Sequence, residues 1–73
     1  MDHEIVLKED FIKLGQALKA AHICMSGGEA KEMILEGLVS VNDEKEIRRG
    51  RKLFAGDRVR IGEDVIFISE RTD

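Results

Sequence analysis

Four cations stand in five consecutive positions, Arg48-Arg49-Gly50-Arg51-Lys52. Arginine presents a planar fork of N–H donors that matches phosphate oxygens, so the chemistry on offer is phosphate binding. The surrounding segment is biased the same way. Between Lys45 and Arg60 there are seven cations against two acids, a surplus of five. This leaves −8 for the rest of a chain whose formal charge is −3. A polyanion feels the local patch rather than the net charge, because screening at physiological salt acts over about 8 Å. A second candidate is Gly27-Gly28 after Ser26, at the start of a helical pattern. Free N–H groups there could receive an anion, and a plain turn between helices explains the two glycines equally well. A P-loop does not fit "SGGEAK", because the spacing G-x-x-x-x-G-K-[ST] is missing.

Other chemistries have little to work with. His3 and His22 are the only histidines and Cys24 the only thiol, short of the four or so ligands of a zinc site. No base is identifiable for Cys24, which reads as a small buried residue. His3 reads as solvated, and His22 as a cation at a helix end. Glu29, Glu32 and Glu36 recur on one helix face and read as a solvated stripe. No metal, cofactor or catalytic residue is expected. The three phenylalanines, Phe11, Phe54 and Phe67, fall in apolar patterns and read as core, so no aromatic platform for splayed bases is expected.

Length and composition bound the rest. Seventy-three residues, 42% of them apolar, suit one small folded domain spanning 1–73. A lone cysteine suits a reducing compartment, and no signal peptide or membrane span is apparent, so a cytoplasmic monomer is expected.

These groups need elements to position them. "EIVL" (Glu4 to Leu7) reads as a short strand. "DFIKLGQALKAA" reads as an amphipathic helix opened by Glu9-Asp10, with Gly15 retained for a close packing contact. "MSGGEAKEMILEG" reads as a second helix, with Ser26 as N-cap, Glu29 completing a capping box and Gly37 past the C-terminus. Lys31 lies away from its acidic stripe. Then "LVSV", "EKEI", "RVRI" and "VIFIS" read as strands. Asn42-Asp43 turns the first hairpin, and Val59 and Ile61 face inward while Arg58 and Arg60 face outward. Gly50 is expected to turn the basic loop so that Arg49 and Arg51 both reach outward. The fold class is α+β: two packed helices against a small, bent, mainly antiparallel sheet.

"MSGGEAKEMILEGLVSVND" followed by "RRGRKLFAGDRVRI" resembles the S4-like RNA-binding domain, most closely its small stand-alone bacterial members. The resemblance is strongest over 11–61. It implies RNA binding between the helices and the β loop, in the αL-type arrangement. On this resemblance the basic positions of the two helices fall on Lys13 and Lys31. The hairpin asparagine is Asn42, and the basic loop is Arg48, Arg49, Arg51 and Lys52. Gly27 stands where many members carry arginine, and Asn42-Asp43 replaces the usual Asn-Gly.

The expected function is a non-catalytic module for structured RNA, rRNA or tRNA. The RNA-binding face comprises Lys13, Gly27, Gly28, Lys31, Asn42, Lys45, Arg48, Arg49, Arg51, Lys52, Arg58 and Arg60. Phosphate contacts carry little information on the sugar, so DNA stays open. The alternative is a protein-interaction module whose basic patch docks an acidic partner, such as a ribosomal surface or an RNA-acting protein. Exchanging Arg48, Arg49 and Arg51 for Glu is expected to remove binding and leave stability intact.

Overall fold

A computed structural model of the chain describes residues 1–71. The elements are β1 (Asp2–Val6), β2 (Ile12–Lys13), α1 (Leu14–Ala20), α2 (Gly27–Leu35), β3 (Val39–Val41), β4 (Glu44–Lys45), β5 (Lys52–Leu53), β6 (Arg58–Ile61) and β7 (Asp64–Ser69). The α+β class holds. Five strands form one sheet in the order β1-β7-β6-β3-β4, antiparallel except for the parallel β1–β7 pair, and β2 pairs antiparallel with β5 in a second, two-stranded sheet. Among the described residues no helix is long and apolar enough to cross a membrane.

The first helix is shorter than its sequence pattern. It starts at Leu14, with Lys13 as N-cap, and not at Glu9-Asp10. Ile12 and Lys13 are drawn instead into pairing with Leu53 and Lys52. Tertiary pairing overrides a local helical preference here, propensity being a weak determinant beside tertiary context. The helix closes on His22, which adopts φ 61°. The His22 N–H donates to the Lys19 carbonyl and the Ile23 N–H to that of Leu18, the paired bonds of a Schellman ending. Gly37 closes α2 in the same way, at φ 79°.

The second helix follows its punctuation. Ser26 Oγ accepts the Glu29 N–H at 3.2 Å, while the Glu29 carboxylate turns back to the Met25 N–H at 2.7 Å. Asn42 and Asp43 both have positive φ, 51° and 71°, as a two-residue type I′ hairpin turn requires.

Leu14, Ala17 and Leu18 of α1, Ala30 and Ile34 of α2, and the inward rows Val39, Val41, Val59, Ile61, Ile66 and Ile68 make the core with Leu53. Cys24 is buried there as expected. Burial raises its thiol pKa, with the Glu29 charge adding to the effect. His3 is not solvated: it is largely buried and lies 3.2 Å from Asp64 Oδ1, tying β1 to the start of β7.

The phenylalanines correct the expectation of a core role. Phe67 is 42% exposed and Phe54 49%, and Phe11 is only half-buried. In "VIFIS" the alternation of a one-sided strand buries Ile66 and Ile68 and turns Phe67 outward, although Val65 to Ile68 are all apolar.

Candidate nucleic-acid interface

The basic loop is held by the start of α1. The first N–H groups of a helix have no partner within it. Here the Leu14 N–H donates to the Arg51 carbonyl at 2.8 Å, and that of Gly15 to the Arg49 carbonyl at 3.1 Å. The loop turns on itself through an Arg51 N–H to Arg48 carbonyl bond. The packing contact expected at Gly15 is with Arg49: a Cβ on Gly15 would lie 2.7 Å from Arg49 Cγ. The absent side chain lets Arg49 lie against the helix.

The four cations of the loop then part company. Arg48 and Arg51 turn back to Glu46, a buried carboxylate. Arg48 Nε lies 3.0 Å from Glu46 Oε2, Arg48 Nη2 3.1 Å from Oε1 and Arg51 Nη1 2.8 Å from Oε1. The Arg48 backbone N–H adds a further bond at 3.1 Å. Hydrogen bonds from the Arg48 guanidinium, opposed by burial and reinforced by Arg51, pull the Glu46 carboxyl down to a pKa of about 2. Gly50 therefore does not send Arg51 outward; only Arg49 goes. Charge reversal at Arg48 and Arg51 would leave Glu46 buried among acids, so that exchange disturbs the fold as well as the surface. Lys52 stands over the Phe11 ring, its Nζ 4.8 Å from the centroid.

Arg49 opens onto a groove of about 330 Å³ lined by Lys13, Gly15, Gln16, Lys19, Gly27, Arg49 and Gly50. Among the described residues Lys13, Lys19 and Arg49 make no ion pair. Opposite them is the N-terminus of α2. The N–H groups of Gly27 and Gly28 precede the capped Glu29, and the space a Cβ on Gly27 would take is open. Three cations and the positive end of a helix thus converge on one concavity. Lys31, exposed and four residues after Gly27, lies on the same side of α2, one turn further along.

The remaining candidates lie elsewhere. Arg58 and Arg60 project from the sheet face turned away from the core. Pairing register places Lys45, Ser40, Arg60 and Val65 in one row across that face. Arg58 is paired to Asp43 at 2.6 Å. Asn42 is engaged at both ends of its amide, accepting the Arg58 N–H at 2.9 Å and donating to Asp57 Oδ1 at 3.0 Å. It fixes the hairpin against the start of β6. The basic residues therefore occupy two surfaces, the groove and the outer sheet face.

Sequence reasoning overlooked Lys19 and Gln16. Their signal was present: Lys13, Gln16 and Lys19 recur every three residues, the polar side of the helix whose apolar side is Leu14, Ala17, Leu18 and Ala21.

The chain matches the family described as S4 domain over residues 5–69. It is also 49% identical, over 61 residues, to a Bacillus subtilis (strain 168) protein described as "Probable ribosome maturation protein RlbA". The match covers 84% of this chain and 86% of that protein.

Proposed function

Because the chain belongs to the S4 domain family, we propose that it binds structured RNA through the groove between α1, the start of α2 and the 48–51 loop, without a catalytic step of its own. The observation that carries this reading is the convergence of Lys13, Lys19 and Arg49, none of them ion-paired among the described residues, on the open N-terminus of α2. The cations and the Gly27 and Gly28 N–H groups take phosphates, and Lys31 and Lys52 extend the track. Ribosomal RNA is the favoured ligand over tRNA, since the 49%-identical relative is described as a ribosome maturation protein. The protein then works as a monomer in the cytoplasm, as an accessory to ribosome assembly.

Anisotropy titration against rRNA fragments tests this. With about five phosphates neutralised, the slope of log K against log[salt] is about −3 to −5. Lys13→Gln, Lys19→Gln and Arg49→Gln together make the slope shallower by about 2 to 3, with thermal unfolding unchanged. An unchanged slope in the triple variant overturns the groove assignment. Failure of rRNA fragments and tRNA alike to bind overturns RNA as the ligand and leaves an acidic protein surface as the partner.

A further inference from the structure

The phosphate groove does not end at Gln16. The same residue lines a second concavity of about 400 Å³, walled by Ile5, Val6, Leu7, Phe11, Ile12 and Ala20 and rimmed by Lys8 and Glu9. Its lining is mostly apolar, and it adjoins the cationic groove. Its aromatic wall is Phe11. Phe54 meets that ring at 6.0 Å between centroids and a 50° tilt, and Lys52 stands over it at 4.8 Å, yet neither lines the hollow. The ring is braced by those neighbours and presents a further part of its surface to the hollow. Val6 is 50% exposed beside it.

A duplex offers a protein phosphates and sugar edges, and nothing that would fill an apolar hollow. An unpaired nucleotide offers both a phosphate and a flat apolar ring, and bases of this kind are held by stacking on aromatic side chains. We infer that the protein takes structured RNA carrying an unpaired, turned-out nucleotide, with its phosphate in the Lys13–Lys19–Arg49 groove and its base against Phe11. Gln16, at the junction, offers an amide donor and acceptor to the base edge. Its Oε1 is 3.3 Å from the Lys13 N–H, a long bond that is readily exchanged for a ligand's. This inference rests on the RNA reading of the groove and names the kind of RNA.

The test uses three RNAs of identical stem: fully paired, with a one-nucleotide bulge, and with the same bulge lacking its base. The full-length protein is titrated against each by anisotropy. The base-bearing bulge binds about 5- to 150-fold tighter than the other two, the range for one base stacked on one aromatic ring. Phe11→Leu keeps the wall apolar and removes that preference, while the paired RNA still binds with a salt slope within about one contact of the wild type, that contact being Lys52, which stands over the ring. Phe67→Leu, on the outer sheet face, keeps the preference. 2-Aminopurine at the bulge reports the stacking directly, because the protein has no tryptophan or tyrosine to contribute emission. Its emission changes on binding the wild type, as the base leaves the stem's stack for the Phe11 wall, and stays as in the free RNA on binding Phe11→Leu. Equal binding of all three RNAs overturns the inference, as does a base preference that survives in Phe11→Leu with the emission change intact. Salt-dependent binding to the paired RNA in those cases leaves the groove reading standing; absence of binding to every RNA overturns both.

Discussion

Glu46 is one of only two acids in the basic segment, and its position decides what the arginines are for. A carboxylate buried beside two guanidiniums is held ionised to about pH 2. Its folded-state pKa lies below the unfolded one, so its contribution to stability is complete above about pH 4.5 and is lost as pH falls towards 2. The contribution is on the order of 2 kcal/mol, reduced from the full shift because Arg48 itself stands largely in solvent. Glu46→Gln is expected to lower stability at pH 7, and the gap to the wild type should close between about pH 4.5 and 2 in urea titrations at stepped pH. A constant gap across that range contradicts the assignment. The run of cations was legible in the sequence; its division was not. Arg48 and Arg51 differ from Arg49 only in lying two and five residues from Glu46 across a turn, and nothing in composition distinguishes them.

Between elements, the contact that matters is α1 against the loop. Gly15 is the second residue of α1, where glycine costs less than the roughly 1 kcal/mol it costs in a helix interior. The structure shows the return on it, since Arg49 Cγ occupies the place a Cβ would need. Gly15→Ala is therefore expected to leave the protein folded with a somewhat lower melting temperature, because Arg49 Cγ must move, and to displace Arg49 from the groove. RNA affinity falls several-fold and the salt slope becomes shallower by about one contact. Unchanged affinity in a folded Gly15→Ala protein would show that Arg49 does not reach its ligand from this position. Both helices, the inward row of β6 and the Asn42-Asp43 turn followed from periodicity and capping residues. The start of α1 did not, because the apolar spacing of Phe11, Leu14 and Leu18 fits a helix from residue 10 while the pairing partner of Ile12 lies some forty residues away. Phe67 was misplaced for a related reason: within the apolar run Val65 to Ile68, only the neighbouring strands tell which face is inward.

Across the whole molecule, charge is sorted by surface. The acidic stripe of α2 points to solvent, the groove gathers cations that find no ion pair among the described residues, and the outer sheet face carries Lys45 and Arg60. The sequence showed that such sorting existed and which segment held it. It did not show that the basic residues fall on two surfaces, because that depends on which way β6 faces relative to α1. The bonds from Leu14 and Gly15 to the loop carbonyls have one more consequence, for proteolysis. Arg48, Arg49, Arg51 and Lys52 are four consecutive trypsin sites on an exposed loop, and composition alone marks them as the first place to be cut. A protease needs the backbone extended and free, and here freeing it means detaching the start of α1 and the buried Leu14 and Leu53. Cleavage there should follow the global unfolding equilibrium. Limited trypsin digestion read by mass spectrometry should first cut after Lys8, in the irregular exposed stretch between β1 and β2, and leave the loop whole until denaturant is added.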